Sequence, residues 1–169
     1  MSIGAEDEGQ KARQVGLTYL SSRSRTVREV REKLQEKKFA ERVIDQAIED
    51  LKRLNLLDDR AFARRWIEAR IAGQRSAGAR KFTQDLRRKG IAAEIIVEVL
   101  EEFTADLESG SAALKLLSRQ QWRYRELGEH KAKRRMLGLL ARRGYDQEIA
   151  FKAVEQVWEE IQRNDVEGD

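Results

Sequence analysis

The sequence predicts an all-α protein built from three tandem three-helix repeats, and three observations carry that prediction. The first is an apolar series that occurs three times. It runs Val30, Leu34, Phe39, Ile44, Ile48, Leu51; then Phe82, Leu86, Ile91, Ile96, Leu100, Phe103; then Met136, Leu140, Tyr145, Ala150, Val154, Val157. The steps inside each series are the same (4, 5, 5, 4 and 3), and the series start at Val30, Phe82 and Met136. A period of about 50 residues marks stacked units that share a core and offer long surfaces to partners. The second is composition: charged residues make up 38% of 169 residues and proline is absent, which favours helices over a loop-rich sheet. The third is that helix start and stop signals fall at matching places in the three series. The expected division is a flexible segment over 1–10, repeats over 11–55, 56–108 and 109–160, and a flexible acidic tail over 161–169.

The elements follow in order. The first helix is read over Lys11 to Ser22, with Val15 and Tyr19 inward. Thr26-Val27-Arg28-Glu29 is a capping box, in which the threonine oxygen and the glutamate satisfy each other's backbone N–H groups. Val27, Val30 and Leu34 then share one helical face. Val43, Ile44, Ala47, Ile48 and Leu51 form the broad apolar stripe of the third helix. Between these helices lies a turn at Lys37-Lys38-Phe39, with equivalents at Lys89-Gly90-Ile91 and Arg143-Gly144-Tyr145. Gly90 and Gly144 suit the left-handed conformation that ends a helix, and the bases before them suit its negative end. Glu41, Glu94 and Glu148 fall in the first turn of the helix that follows each turn. In the second unit Asp58 caps a helix whose apolar face is Phe62, Trp66 and Ile67. Gly73 to Gly78 reads as a loop. In the third unit a helix over Ser111 to Trp122 turns Leu114, Leu117 and Trp122 inward, and Arg123 to Glu129 reads as a loop. After Trp158 the chain becomes polar and acidic and is expected to fray.

A net charge of +4 conceals strong segregation. Residues 61–90 hold nine Lys/Arg and two acids, whereas 91–112 hold six acids and no base. Residues 113–145 hold ten bases and two acids, and 146–169 hold two bases and eight acids. Helix-end electrostatics explain part of this, such as Arg87-Arg88-Lys89 closing one helix and Glu94 opening the next. They do not explain Arg64, Arg65, Arg70, Arg75, Arg80 and Lys81, which lie earlier. Such basic blocks fit a polyanion.

Most chemistry is excluded by what the sequence lacks. Without cysteine there is no disulfide and no thiolate metal site, which fits a reducing, bacterial-type cytoplasm. No apolar run approaches the ~20 residues of a membrane span, and the acidic, polar stretch Met1 to Gln10 is no secretion signal. Asp58 and Asp59 are adjacent, so on a helix they diverge by about 100° and cannot share a metal; capping suits them better. His130 is the lone histidine and has no triad partners around it. No phosphate-cradling glycine loop occurs. Trp66, Trp122, Trp158, Phe62 and Tyr145 follow helical spacing and read as core. Tyr124, between Arg123 and Arg125, is the best candidate for an exposed aromatic. The reading is therefore of a protein that is not an enzyme and needs no cofactor and no metal.

Leu57-Asp58-Asp59-Arg60-Ala61-Phe62-Ala63 is the most specific stretch for a family comparison. With it go Tyr19-Leu20-Ser21-Ser22-Arg23-Ser24-Arg25-Thr26 followed by Glu29-Val30, and Arg70 with Arg75-Ser76-Ala77-Gly78. Leu86-Arg87-Arg88-Lys89-Gly90-Ile91 and Leu140-Ala141-Arg142-Arg143-Gly144-Tyr145 complete the set. In this order and spacing, over about residues 12 to 158, the chain resembles the RecX family of regulatory proteins. The resemblance implies an elongated, curved array of three three-helix repeats. It implies a non-enzymatic partner of the recombinase RecA that binds the RecA filament on single-stranded DNA. There it would limit extension, ATP hydrolysis and strand exchange, and it could bind single-stranded or duplex DNA itself. Two departures from the family pattern are Lys38-Phe39, where a glycine is common, and Tyr145, where phenylalanine is usual.

On this reading the candidate contacts for recombinase and nucleic acid are Arg23, Arg25 and Arg28; Arg70, Arg75, Arg80 and Lys81; and Arg125, Lys131, Lys133 and Arg134. Guanidinium groups suit phosphate and carboxylate through bidentate hydrogen bonds. The expected oligomeric state is a monomer. Two rival readings stand beside it. One is a direct DNA-binding repressor built from helix-turn-helix-like repeats, opposed by the acidic starts Ala92-Ala93-Glu94 and Asp146-Gln147-Glu148. The other is a structural helical adaptor, for which binding would depend little on salt.

Overall fold

The start and stop signals place the helices much as the sequence leads one to expect. The structure, a computed structural model, describes residues 3–73 and 77–166. Among the described residues all regular structure is helical. The helices are α1 (Ile3–Ser21), α2 (Val27–Glu36), α3 (Glu41–Arg53), α4 (Asp59–Ala72), α5 (Ala79–Arg88), α6 (Ala93–Glu102), α7 (Thr104–Glu108), α8 (Ser111–Ser118), α9 (Glu129–Arg142) and α10 (Gln147–Val166), with a 3-10 turn at Gln121–Arg123. None of them is long and apolar enough to cross a membrane.

Four boundaries differ from expectation. α1 already starts at Ile3, so residues 3–10, expected to be flexible, are helical. Asp7 and Glu8 lie near its positive end, and Asp7 pairs with Lys11 one turn later. α10 runs to Val166 instead of fraying at Trp158, because Ile161 is fully buried in the C-terminal core and anchors another turn. The short α7 is an addition to the expected elements. The helix expected over Ser111 to Trp122 ends at Ser118, and a 3-10 turn follows. The expected Gly73 to Gly78 loop lies partly outside the described residues.

All three turns close with one hydrogen-bond pattern. Phe39 N–H donates to Leu34 O, Ile91 N–H to Leu86 O and Tyr145 N–H to Leu140 O. One residue earlier, Lys38, Gly90 and Gly144 donate to the carbonyls of Gln35, Arg87 and Ala141. This is the Schellman arrangement, and it needs a left-handed residue at its centre. Gly90 and Gly144 supply it with φ of 82° and 74°. Lys38 adopts φ 63° as well, at a steric cost of about 1 kcal/mol that glycine would avoid.

The chain forms two compact units, Met1–Arg65 with Leu86–Val97, and Trp66–Asp85 with Glu98–Asp169. In the first, α1 packs on α2 and α3 around Ala12, Val30, Leu34, Ile44, Ala47, Ile48, Leu51 and Leu57. Full burial of each large aliphatic side chain contributes about 1.5–3 kcal/mol. The start of α2 here meets the end of α5. The Thr26 hydroxyl accepts from Glu29 N–H and donates to the Lys89 carbonyl at 3.0 Å. The stem of Arg28 covers Gly90.

In the second unit, α10 packs on α8 and α9 around Leu117, Met136, Leu140, Val154, Val157 and Ile161. Trp66 meets Phe82 edge to face, with ring centroids 5.8 Å apart. The start of α5 meets the end of α9 through the repeat equivalents of the α2–α5 contact, with Gly78 in the place of Thr26, Arg80 in that of Arg28 and Gly144 in that of Gly90. Gly78 N–H donates to the Arg143 carbonyl at 3.0 Å, and Arg80 donates to the Ala141 carbonyl at 3.2 Å. Gly144 lies directly against Lys81 N and Cβ. In the third apolar series the place of Thr26 and Gly78 falls to Ala132. That residue lies inside α9, and its N–H is taken by Gly128 O, because α9 starts at Glu129. The series of helix-start contacts therefore changes character at α9.

Candidate anion-binding interface

The candidate cations do not form one class. Several hold the fold together. Arg25 lies 4.1 Å over the Tyr19 ring and donates to Ser22 Oγ, which fastens the α1–α2 connection. Arg23 pairs with Glu29 at 3.2 Å, and Arg28 pairs with Glu32 while covering Gly90. Arg70 stacks 3.3 Å over Trp66. Arg80 adds a second hydrogen bond to the Ala141 carbonyl, which already accepts from Gly144 N–H at the negative end of α9, and Lys81 pairs with Asp85. Lys133 binds Glu129 and Glu155 together, and those two hydrogen bonds push its ammonium pKa up. Arg125 and Lys131 are exposed. Arg75 lies outside the described residues.

Arg134 is different. It lines a groove of about 580 Å3 together with Arg123, Arg135 and Arg142, over a floor of Tyr124, Gly138 and Leu139. No acid lines this groove. Arg123 reaches the Gln120 side-chain oxygen at 3.1 Å. Arg134, Arg135 and Arg142 make no ion pair among the described residues, whereas Lys11, Arg28, Arg31, Lys33, Lys52, Arg53 and Lys152 all do. The positive field also acts on the floor. Burial pushes the Tyr124 phenol up, against the opposite pull of Arg123, Arg142 and Arg135.

Two aromatic assignments made from sequence are reversed at the groove. Trp122, read as core, is 71% exposed, and Tyr124, read as exposed, is only 5% exposed. The cause is the end of α8 at Ser118. Extending α-helical spacing to Trp122 ignores the tighter 3-10 turn at Gln121–Arg123, which exchanges the two faces. The exposed indole has the Arg123 guanidinium 5.8 Å from its ring centroid. Sequence reasoning also missed Arg123, Arg135 and Arg142. Their signal lay in α9, where Arg134, Gly138 and Arg142 follow at four-residue steps, placing a gap between two arginines on one stripe. Among the described residues no cluster of three or more His, Cys, Asp or Glu could hold a metal.

A second depression of about 1240 Å3 borders a different face of α9, lined by Leu107, Leu114, Leu137, Ile149 and Phe151 among others. Charged side chains, Arg80, Glu108, Glu148 and Lys152 among them, share its lining with the apolar ones.

Comparison with known proteins bears on the whole chain. A family model described as RecX, first three-helix domain, matches residues 12–51, and one described as RecX, second three-helix domain, matches residues 58–100. Regulatory protein RecX of Streptomyces coelicolor is 31% identical over 154 residues, covering 91% of this chain and 81% of that protein. Regulatory protein RecX of Mycobacterium sp. strain JLS is 36% identical over 145 residues, covering 82% and 76%. The crystal structure of RecX from Lactobacillus salivarius superposes with a TM-score of 0.80 at 23% identity, over 90% of this chain and 97% of that one. A crystal structure of regulatory protein RecX gives a TM-score of 0.80 at 26% identity, over 92% and 76%.

Proposed function

The chain belongs to the RecX family of regulatory proteins, and on that premise we propose that it is a non-catalytic regulator, mainly an inhibitor, of the recombinase RecA. It binds the RecA filament on single-stranded DNA and limits its extension, ATP hydrolysis and strand exchange. It works in the cytoplasm as a monomer, without cofactor or metal. The observation that carries this reading is the match to regulatory relatives along nearly the whole chain. The unpaired arginines of the groove add support, because a filament on DNA presents phosphates and acidic protein surface together.

The test is RecA ATP hydrolysis on single-stranded DNA with this protein titrated in, alongside filament length by microscopy. Inhibition well below one protein per recombinase, with shortened filaments, is the expected outcome. Inhibition that sets in only near the concentration of DNA sites would mean simple competition for DNA. No effect from folded protein on a cognate recombinase would remove the proposal. The repressor alternative would require preference for one duplex sequence. Glu94 and Glu148, in the first turns of α6 and α10, are poorly suited to entering a DNA groove.

A further inference from the structure

We infer that the groove between the 121–124 turn and α9 is a subsite for single-stranded nucleic acid, with arginines on the phosphodiesters and Trp122 under one base. The inference deepens the regulatory reading and rests on it only for where the strand comes from. The groove lies beyond residue 100, outside both segments matched by the family models.

Four observations lead to it. The groove gathers Arg123, Arg134, Arg135 and Arg142, and none of them is neutralised by a carboxylate among the described residues. Other bases such as Arg87, Arg88 and Arg119 are without an ion pair among the described residues too, so what sets these four apart is that they converge on one groove with no acid in its lining. Arg134 also lacks the work done by its counterparts. Arg28 and Arg80 stand before Val30 and Phe82 just as Arg134 stands before Met136, and they are used on Gly90 and on the Ala141 carbonyl. Arg134 makes no such contact with a helix end among the described residues and lines the groove instead.

The remaining two observations identify the ligand. An indole 71% exposed leaves a large apolar face in water beside a guanidinium. Single-strand binding sites combine a cationic track with such a stacking face, which accepts any base. The dimensions agree. Arg135 and Arg142 are seven residues apart on α9, or ~10.5 Å along the helix axis, enough to span neighbouring phosphates. A groove of about 580 Å3 is the size of a small-ligand pocket. It holds one or two nucleotides, and a stacked base must be unpaired. An acidic peptide would satisfy the arginines but leave Trp122 unused.

The experiment uses the full chain and a labelled oligo(dT) of about fifteen nucleotides, followed by anisotropy between about 50 and about 200 mM salt. Arg134→Gln with Arg142→Gln should weaken binding at least ~10-fold and make the salt dependence shallower by about 1.4 in log–log slope, two phosphates' worth. Trp122→Ala should weaken binding by about 5- to 100-fold, leave that slope unchanged and abolish tryptophan quenching by the oligonucleotide. Trp122→Phe should keep most of the affinity. None of the three side chains is buried, so circular dichroism should match the parent chain. Wild-type affinity and slope in the arginine variant would overturn the subsite. Equal binding of duplex, insensitive to Trp122→Ala, would overturn its single-strand character. Displacement of the oligonucleotide by polyglutamate at equal charge, with Trp122→Ala silent, would replace it with an acidic protein surface. RecA is absent from this assay. Groove-independent binding would leave the regulatory reading intact, and groove-dependent binding by a chain that fails to inhibit RecA would sink only that reading.

Discussion

Asp59 shows how one half-buried carboxylate can act against the fold it helps to build. Its oxygen accepts the Val27 N–H at 2.9 Å, tying the first residue of α2 to α4. Burial pushes its pKa above the ordinary 3.8. The Val27 hydrogen bond and Lys52 pull the other way, and Asp58 and Glu29 add to the rise. The folded chain therefore holds this proton more tightly than the unfolded chain does. Stability from this group is fully present below the unfolded value and falls as pH rises through the folded one. Asp59→Asn keeps an oxygen for Val27 and removes the half-buried charge. Urea midpoints of the two proteins between pH about 3 and 7 should diverge in favour of the variant as pH rises. A gap that widens in favour of the parent chain would contradict this. At the same scale, Asp58 was legible as a cap and does accept from Ala61 N–H at 3.0 Å. The role of Asp59 was not, because its partner lies 32 residues away.

At the level of elements the cap of α2 does more than start a helix. Thr26 is fully buried, and its hydroxyl serves both the Glu29 N–H and the Lys89 carbonyl. Thr26→Ala removes the cap, at about 1 kcal/mol, and leaves the partly buried Lys89 carbonyl without this partner, at about 1–2 kcal/mol more. A loss of about 2–3 kcal/mol is expected by chemical denaturation, whereas Thr26→Ser keeps the hydroxyl and should lose less than about 1 kcal/mol. Equal losses would mean that packing of the methyl group, not the hydroxyl, stabilises this contact. The box itself was readable from Thr26 and Glu29, as were the three turns and the first-turn acids, since each is a local signal a few residues long. The apolar series also largely held: all six residues of the third series are buried, while Phe39, Leu100 and Phe103 are only partly so. What sequence could not supply was the change from α to 3-10 geometry after Ser118, which moved Trp122 outward and Tyr124 inward. No proline or glycine marks that break, so helical spacing carried the wrong faces forward. The groove was lost with it, since only Arg134 of its four arginines stood out by charge alone.

For the whole molecule the central question is how alternating charge is used. Basic segments at 61–90 and 113–145 are followed by acidic ones at 91–112 and 146–169. Much of the basic charge is consumed internally, by Asp85 for Lys81, by Glu129 and Glu155 for Lys133, and by a helix end for Arg80. Net charge is therefore a poor guide to what is free for a partner. The four groove arginines converge on one site with no acid in its lining, and they set a limit on salt dependence. If all four meet phosphates of filament-bound strand, affinity should fall about 50-fold over a fourfold rise in salt, since single-strand contacts contribute about 0.7 each to the slope. With Arg134→Gln and Arg142→Gln the fall should be only about 7-fold. The measurement is binding to preformed RecA filaments held with a non-hydrolysable nucleotide, so that the filament itself stays constant between salt conditions. Each variant is compared with the parent chain at both salts, which cancels any change in the recombinase. Parallel slopes would show that filament binding proceeds through protein surface alone, with the groove reserved for free strand. A slope difference of the stated size would place the C-terminal arginines on the DNA within the filament.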